Sequence, residues 1–496
     1  MLILMTGLPG TGKSTVAAAL AREVGAAVLG SDRIRAERSG RPRFSGPAKA
    51  GVYERMFERA RLALRAGRSV ILDATFYLER LRRSGARLGR AAGVPVFVVE
   101  VIAPVPIVKR RMDRRLLTAR GPKPAAFEVH GYIRRSYEPV RGRHFTIDTA
   151  VPKTWRSRVA SLANTLRVLE NERRLIGPLR RAKTLRVLRT HISWILLDGR
   201  HAYKIKKPVR FSFVDYSTPA RRLAYCRREI EANAKLCPDL YLGIVPVRDD
   251  AGSVSFGGPG RTVDHAVEMR EMPQDARLDR RVASGRSGPR DIRRIVRALC
   301  AFHARAGIAA SRYGSRAAIR RGFEHAFRLR PLVEREIGAG ATLDHIRDRI
   351  EAFLEARADL FRERVRQGRI RHGHGDLRMS NIFLAGRGVC IFDAVEFNPG
   401  LSATDVAADV AYLAMDLRAC GEKDLSVRLI DDYIACSGDA GLRGVADFYQ
   451  CYRALVRLLV ESLVLADPGI PVSRKKRARQ ASRLYLGLAD ELARRL

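Results

Sequence analysis

A glycine-rich loop near the start of the chain has residue types suited to binding phosphate. The pattern GxxxxGK[ST] is met by Gly7-Leu8-Pro9-Gly10-Thr11-Gly12-Lys13-Ser14, between an apolar run and an amphipathic stretch. Glycines let backbone N–H groups wrap a phosphate, and the start of the next helix adds partial positive charge. We expect Lys13 to reach the β- and γ-phosphates of ATP and Ser14 to bind Mg²⁺. The predicted ATP-binding residues here are Gly7, Leu8, Pro9, Gly10, Thr11, Gly12, Lys13, Ser14 and Thr15.

Charged residues after the next apolar runs favour a kinase over a simple ATPase. Asp32 could orient or deprotonate an acceptor hydroxyl as a catalytic group beside Lys13, and Arg35 could hold a substrate anion. Alternatively, Ser31 and Asp32 only cap a helix. Asp73 ends an apolar run and is predicted to lie near Mg²⁺. One arginine of a later stretch could close over the phosphates as a lid, the candidates being Arg110, Arg111, Arg114 and Arg115.

A second set of residues with phosphate chemistry lies far along the chain. His374, Asp376 and Asn381 have the H-x-D-x-x-x-x-N spacing of a kinase catalytic loop, and Asp393 ends an apolar run twelve residues after Asn381. We expect Asp376 to accept the proton of an acceptor hydroxyl while Asn381 and Asp393 hold Mg²⁺. His374 would brace the loop through hydrogen bonds.

An upstream segment supplies candidate partners for the nucleotide in this second site. Lys204 and Lys206 share one face of a predicted strand, because side chains alternate along a strand. Either lysine could contact the α- and β-phosphates, and we favour Lys204. Glu229 is the candidate ion-pair partner of that lysine, ahead of Glu231. Glu396 is a further candidate for contact with the acceptor.

The elements that must position these residues differ between the two halves of the chain. The first ~150 residues alternate short apolar runs with amphipathic stretches, which predicts a parallel α/β sheet. A linker helix is expected from Pro152 to about Arg174. Beyond it, Asp198-Gly199 marks a hairpin, 252–260 is a predicted loop, and the chain after Asp291 is mostly helical. The predicted strands of the first half are Leu2–Met5, Ala27–Leu29, Ser69–Asp73, Pro95–Val101 and Phe145–Asp148. Its predicted helices start at Lys13 or cover Pro47–Arg65, Leu78–Ala92, Val105–Leu117 and a stretch near Pro124–Tyr137.

The glycine-rich loop and its surroundings, over residues 1–170, resemble the small P-loop kinases grouped with polynucleotide kinase, gluconate kinase and zeta-toxin-like enzymes. This resemblance implies an α/β P-loop NTPase domain with a parallel sheet that binds ATP with Mg²⁺. It leaves the acceptor open.

The region 175–496 resembles the aminoglycoside phosphotransferase superfamily, through the residues named above and the stretches Tyr203–Val209, Cys237–Gly243 and Phe392–Asn398. The closest likeness is to bacterial fusions of such a domain with a P-loop domain. The resemblance implies an α+β protein-kinase-like domain, with an N-lobe over about 175–272 and a C-lobe over about 273–496. The sequence departs from the pattern in its domain order and in Arg378, where many relatives carry histidine.

Composition indicates the number of domains, the kinds of partner and the cellular compartment to expect. The 496 residues suit two or three domains, and their formal net charge is +41. We interpret the surplus as arginine spread over solvated faces, with nucleic-acid binding as the alternative. Seven scattered cysteines argue against a disulfide framework and favour a cytoplasmic protein. No uncharged apolar run is long enough to span a bilayer.

Three functions fit these observations. The leading one is a bifunctional ATP-dependent kinase acting on hydroxyl groups of small molecules, whose acceptors and oligomeric state are open. The alternatives are a nucleic-acid 5′-hydroxyl kinase for repair and a nucleotide-sensing regulatory protein. Residues 393–447 hold eleven acidic and four basic residues. They could form an acidic pocket for a polycationic acceptor, or they could be solvated faces and metal-proximal acids.

Overall fold

The computed structural model describes residues 1–37, 46–118, 126–182, 185–211, 213–386, 388–466 and 472–496. The chain folds as two compact units. The first consists of Met1–Ala182, Lys207–Ser217 and Gly252–Val254, and the second of Lys183–Lys206, Thr218–Ala251 and Ser255–Leu496.

A parallel sheet organises the first unit. Its strands are β1 (Leu2–Thr6), β2 (Ala27–Gly30), β3 (Val70–Asp73), β4 (Val96–Ile102) and β5 (Phe145–Asp148). They lie in the order β2-β3-β1-β4-β5, and each neighbouring pair is parallel. Central β1 is buried along its whole length. Leu2 and Leu4 face one apolar layer, and Ile3 and Met5 face the other, as alternation along a strand requires.

Helices cover both faces of this sheet. They are α1 (Lys13–Val24), α2 (Ser31–Ala36), α3 (Gly46–Arg65), α4 (Glu79–Ala91), α5 (Val105–Thr118), α6 (Phe127–Arg135), α7 (Pro152–Asn171) and α8 (Gly177–Ala182). The predicted helix near Pro124–Tyr137 is therefore shorter, and residues 124 and 125 lie outside the described ones. A π-helical turn, Glu172–Ile176, joins α7 to α8. The linker helix predicted from Pro152 to about Arg174 corresponds to α7 and the start of this turn, and the predicted boundary at 170–175 lies within this helical segment.

After Ala182 the described strands are β6 (Arg186–Arg189), β7 (Ser193–Leu197), β8 (His201–Lys206), β9 (Arg210–Phe211), β10 (Val214–Asp215), β11 (Tyr241–Asp250), β12 (Ser253–Phe256), β13 (Arg261–Arg270), β14 (Ile370–His372), β15 (Ile382–Ala385), β16 (Gly388–Ile391) and β17 (Ala403–Asp405). Hairpin strands β9 and β10 belong to the first unit. The large sheet has the order β12-β11-β13-β8-β7-β6. The Asp198-Gly199 turn joins β7 and β8 as predicted. The loop expected at 252–260 is wrong in part, because β12 occupies its first half.

The remaining helices build the bulk of the second unit. They are α9 (Pro219–Asn233), α10 (Leu278–Ala283), α11 (Pro289–Arg305), α12 (Arg316–Phe327), α13 (Arg330–Ile337), α14 (Gly340–Ala356), α15 (Ala358–Arg366), α16 (Pro399–Ser402), α17 (Val406–Ala419), α18 (Lys423–Ser437), α19 (Ala446–Ala466) and α20 (Val472–Ala493). Helix α17 is buried on nearly every side and lies inside the largest apolar core. It follows that α17 is a rigid support for whatever packs at its ends.

Two further observations bear on the sequence analysis. Cys237 and Cys390 form a disulfide, so the expectation that the cysteines are unpaired is wrong for this pair. The two residues are 153 positions apart in sequence, and only the fold brings them together. Across the described ranges, we find no helix with the length and hydropathy needed to cross a bilayer.

Candidate functional site

The glycine-rich loop of the first unit turns from β1 into α1. Gly7 has a φ of +135°, and a Cβ at this position would lie 2.3 Å from the carbonyl oxygen of Val101. Gly12, the residue before α1, has a φ of +95°. Side chains are excluded at the first position by contact and disfavoured at the second by backbone conformation. The loop consequently exposes backbone N–H groups where a phosphate can approach.

Lys13 lies under this loop rather than in solvent. Its side chain is buried, and Nζ donates to the carbonyl oxygen of Leu8 at 2.9 Å. Burial lowers the pKa of Lys13 to about 8, although the charges of Asp73 and Asp32 oppose the shift. Burial likewise raises the pKa of Asp73, and a hydrogen bond from Ser14 counteracts it. Lys13, Ser14, Asp73 and Asp32 thus converge on one corner of the sheet.

Asp32 lies in the first turn of α2 and Arg35 in its last turn, beside this corner. Arg35 Nη1 is 2.7 Å from Asp32 Oδ1. The Asp32 side chain is 86% exposed, whereas that of Arg35 is 21% exposed. No side-chain cap hydrogen bond is found at the start of α2, so the capping alternative for Ser31 and Asp32 has no support in the described geometry. Both side chains are placed where an acceptor could meet them, and their roles stay predictions.

Thr149 and His130, which the sequence analysis did not name, support the glycine-rich loop through its carbonyl oxygens. Thr149 Oγ1 donates to the carbonyl oxygen of Thr11 at 2.7 Å, and Arg111 Nη1 donates to Thr149 Oγ1 at 2.8 Å. His130 Nδ1 lies 2.8 Å from the carbonyl oxygen of Pro9. Of the four lid candidates, Arg111 is therefore tied to the loop support, and Arg115 is close enough to lower the pKa of Lys13. These hydrogen bonds join residues 38 to 138 positions apart in sequence, so no local motif signals them.

In the second unit, the side chain of Lys204 on β8 forms ion pairs with two carboxylates. Lys204 Nζ lies 2.7 Å from Glu229 Oε1 and 2.5 Å from Asp393 Oδ1. The predicted ion pair with Glu229 is present. Burial alone would lower the pKa of Lys204, but the charges of Asp393 and Glu229 raise it well above its ordinary value. Lys204 therefore stays charged at neutral pH.

Lys206 continues the same network toward Glu396. Its Nζ lies 2.7 Å from Glu229 Oε2 and 2.6 Å from Glu396 Oε1. Both Lys206 and Glu396 are buried, with side chains 1% and 5% exposed. Lys204 is the more accessible lysine at 12%, which supports the choice of Lys204 for the phosphates. Glu396 is held by Lys206 inside the protein, so its assignment to the acceptor finds no support in this arrangement and stays a prediction.

The loop that carries Asp376 is braced by His374 and Asp409. The backbone N–H of Asp376 donates to His374 Nδ1 at 3.2 Å, and His374 Nε2 lies 2.9 Å from the carbonyl oxygen of Phe392. Asp409, at the start of α17, accepts the N–H groups of His374 and Gly375 at 2.6 and 2.9 Å. Burial opposes ionisation of Asp409, but the bond from His303 and nearby charges lower its pKa to about 2.

Asp376, Asn381 and Asp393 are arranged around this brace. Asn381 Nδ2 lies 3.0 Å from the carbonyl oxygen of Asp376 and 3.4 Å from Asp376 Oδ2. Asp393 has a φ of +64°, a conformation that costs energy for a residue with a Cβ and clusters at functional sites. The next N–H, that of Ala394, donates to Asn233 Oδ1 at 2.8 Å. Asn233 lies one helical turn after Glu229 on α9, and this spacing could have identified it.

The donors at both sites fit Mg²⁺ in kind. No group of three or more His, Cys, Asp or Glu side chains suited to a metal occurs among the described residues. Ser14 with Asp73, and Asn381 with Asp393, each supply two oxygen donors. Mg²⁺ commonly takes one or two protein oxygens together with water and substrate phosphates. The residues present are thus compatible with a cation that arrives with the nucleotide.

Comparison with known proteins covers parts of the chain. A family model described as an AAA domain matches residues 2–140. An uncharacterized protein of Mycobacterium tuberculosis is 34% identical over 278 residues, 55% of this chain and 54% of the relative, and one of Mycobacterium bovis has the same values. The chain thus spans about half the length of the curated relatives it matches.

Solved kinase structures are similar over a third of the chain. The APS kinase CysC of Mycobacterium tuberculosis, in complex with AMPPNP and APS, is 22% identical over 33% of this chain and 96% of that chain, with a TM-score of 0.26. A gluconokinase from Sinorhizobium meliloti is 19% identical over 33% of this chain and 94% of that chain, with a TM-score of 0.26. The family match, the parallel sheet and the glycine-rich loop together identify the N-terminal region as a P-loop nucleotide-binding domain.

Proposed function

We propose that the chain is a bifunctional phosphotransferase, in which each unit transfers the γ-phosphate of ATP to a hydroxyl group of a small molecule. The observation that carries this proposal is the convergence in the second unit of Lys204, Glu229 and Asp393 with the Asp376–Asn381 loop. The first unit contributes the P-loop with Asp73 and Asp32 beside it. Each set contains a cation for phosphates, oxygen donors for Mg²⁺ and a carboxylate for the acceptor.

In the first unit, the loop N–H groups and Lys13 bind the β- and γ-phosphates of ATP. Ser14 and Asp73 orient the cation, which neutralises charge on the phosphates when bound. Asp32 accepts the proton of the acceptor hydroxyl, and Arg35 holds an anionic group of the same acceptor. The exposure of Asp32 is consistent with an acceptor that enters from solvent.

In the second unit, Lys204 binds the α- and β-phosphates while Glu229 fixes the position of its ammonium group. Asn381 and Asp393 bind the Mg²⁺ that accompanies ATP. Asp376 takes the hydroxyl proton as the acceptor oxygen attacks the γ-phosphorus and the bond to the β,γ-bridging oxygen breaks. His374 and Asp409 keep Asp376 in place through the backbone of its own loop.

The test uses γ-labelled Mg-ATP with the full chain and its Lys13→Ala and Asp376→Ala variants. Each protein is incubated with a bacterial metabolite extract, an aminoglycoside panel and a 5′-hydroxyl oligonucleotide. We expect two labelled small-molecule products, one lost in Lys13→Ala and the other in Asp376→Ala, each by at least about 10³-fold. Arg428→Gln, a substitution in an exposed part of α18, is the control.

Other outcomes separate the alternatives. Label on the oligonucleotide that is lost in Lys13→Ala would replace the small-molecule assignment of the first unit with a nucleic-acid kinase. ATP binding at both sites without any labelled product would favour a nucleotide sensor. If one substitution silenced both activities in a folded protein, the two sites would not be independent.

A further inference from the structure

Five acids of the stretch 393–447 are the candidates for an acidic pocket, and each contacts a basic group or a backbone N–H group of the protein. Asp405 is buried against Arg364, and Asp409 is bound to the N–H groups of the catalytic loop. Glu396 is bound to Lys206. On α18, Asp431 contacts Arg443, and Asp432 Oδ2 lies 3.3 Å from Arg428 Nε. The five acids that could have bound a polycation thus already hold basic groups or backbone N–H groups of the protein.

Around Asp376 the structure places arginine instead. Arg378 Nε and Nη2 lie 3.2 and 3.1 Å from Asp376 Oδ2, so two nitrogens of the guanidinium contact a single carboxylate oxygen. The third nitrogen, Nη1, has no hydrogen-bond or ion-pair partner among the described residues. The Arg378 side chain is 26% exposed and Asp376 is 31% exposed, so an acceptor that reaches the carboxylate also reaches the guanidinium.

Two arginines of α19, Arg453 and Arg457, lie near this pair. Arg453 Nη1 donates to the carbonyl oxygen of Gly375 at 3.1 Å, and its Cζ is 4.7 Å from the ring centre of Tyr412. Arg457 Nη2 lies 3.3 Å from Glu461 Oε1, and its buried Nε has no hydrogen-bond partner in the described part of the chain. Its Cζ is 5.4 Å from the ring centre of Tyr485. Arg457 thus contacts Glu461 and Tyr485, and the donor that stays unpaired within the described ranges is its Nε.

The carboxylates near these arginines are Asp376, Asp409, Asp416 and Glu461, and three of them have other partners as well. Asp409, 3.9 Å from Arg453 Nη2, accepts two N–H groups of the loop, and Glu461 also pairs with Arg474 at 2.9 Å. Asp416 accepts the N–H of Met379 at 2.9 Å. Burial raises the pKa of Asp416, so its negative charge is disfavoured. Burial opposes the charge on Arg457, but a guanidinium is protonated throughout the pH range in which proteins are folded. The region therefore keeps its guanidinium charges.

We propose that the acceptor of the second unit carries a carboxylate or phosphate group beside the hydroxyl that is phosphorylated, and that Arg378 and Arg457 bind this anion. The inference rests on the proposed kinase function of the same site and names its substrate class. Guanidinium groups suit this task because they offer paired donors to carboxylate and phosphate oxygens. An aminoglycoside or choline would instead bring positive charge against three arginines.

The experiment compares probes of different charge. Three of them share a three-carbon skeleton and carry a carboxylate, a phosphate or no charged group, and choline is a cation. Binding of D-glycerate, glycerol 3-phosphate, glycerol and choline to the full chain is measured by calorimetry with saturating Mg-ADP at 150 mM salt. We expect an anionic probe to bind at least about tenfold more tightly than glycerol, and choline not to bind. Arg457→Gln is expected to weaken the anion about tenfold and Arg457→Lys less, whereas Arg428→Gln leaves the affinity unchanged.

Opposite results overturn the assignment. Equal affinity for glycerol and both anions, tighter binding of choline, or unchanged anion affinity in folded Arg457→Gln would each do so. Because these measurements need no turnover, they can fail while Asp376-dependent phosphoryl transfer succeeds. Conversely, anion binding with no transfer would refute the kinase proposal and leave the anion site in place.

Discussion

The two phosphate sites use lysine in opposite ways. In the first unit, Lys13 is buried under its own loop, donates to a carbonyl oxygen and has a pKa lowered to about 8 by burial. In the second unit, Lys204 and Lys206 are held by Glu229, Asp393 and Glu396, and the pKa of Lys204 is raised. The first site is a backbone cradle, and the second is a network of side-chain charges.

The difference separates two ways of preorganising positive charge for a phosphate. A cradle of N–H groups is built by chain geometry, so its lysine needs no carboxylate and the folded state bears the cost of its burial. A side-chain network neutralises its own charges, and it is costly to disturb because each member is buried with its partners. We therefore expect the substitution of a buried lysine to have opposite effects on stability in the two units.

The largest expected effect is that of Lys206→Met. This substitution removes the ammonium group that contacts both Glu229 and Glu396. We expect the second unit to lose about 3–5 kcal/mol of its free energy of unfolding as a result. Calorimetry of the full chain measures the loss, and hydrogen exchange of β8 and β13 assigns it to this unit. The double variant Lys206→Met/Glu396→Gln should recover part of it.

The exposed Lys423 provides a matched control for this change. Its side chain is 64% exposed and lies 3.9 Å from Glu491, so Lys423→Met should alter the stability by less than about 0.5 kcal/mol. A loss in Lys206→Met no larger than in Lys423→Met would contradict the view of the second site as a charge network.

The disulfide is a second feature that distinguishes the second unit from the first. Every cysteine of the chain lies in the second unit. Cys237→Ser should lower the free energy of unfolding of this unit by about 2–4 kcal/mol, because the Cys237–Cys390 bond closes a long loop. Reductant should lower the melting temperature of the second unit and leave that of the first unchanged.

Cys420→Ser is the control for this experiment, because Cys420 is exposed and not bonded to another cysteine. Cys420→Ser should have little effect in oxidant or reductant. Equal melting temperatures of the second unit with and without reductant would show that the bond contributes nothing to its stability.

The smallest expected effect, and the one of opposite sign, is that of Lys13→Met. A lysine whose folded pKa is about 8 instead of 10.5 costs up to roughly 3 kcal/mol when charged, and methionine removes this cost. The first unit should become more stable by up to that amount below pH 8. The gain should shrink as the pH rises from 8 and vanish above 10.5, where lysine is neutral in both states.

Unfolding at pH 7 and pH 10.5 measures this gain, with Lys109→Met as the control, since Lys109 is 60% exposed and paired with Asp113. A first unit destabilised by Lys13→Met at pH 7 would contradict the comparison, because Lys13 would then act as a stabilising member of a network.

Local patterns carried the sequence analysis a long way. The strand-loop-helix around Gly7–Ser14 and the hairpin at Asp198-Gly199 were predictable, since turn residues and apolar periodicity act over a few neighbours. The pairing of Lys204 with Glu229 followed from a strand and a helix close in sequence. The π-helical turn after α7 and strand β12 were missed, because packing decides such short irregular segments.

Long-range contacts were not predictable in this way. The sequence by itself determined the residues of the P-loop, the spacing of Asp376, Asn381 and Asp393, and the excess of arginine. Only the tertiary structure decided which charges meet. It placed Thr149 and His130 behind the P-loop, paired Cys237 with Cys390, bound Glu396, Asp405 and Asp409 to internal partners and put Arg378 on Asp376. The reason is physical: the interaction of a charge depends on distance and burial, and both are properties of the folded chain rather than of its order.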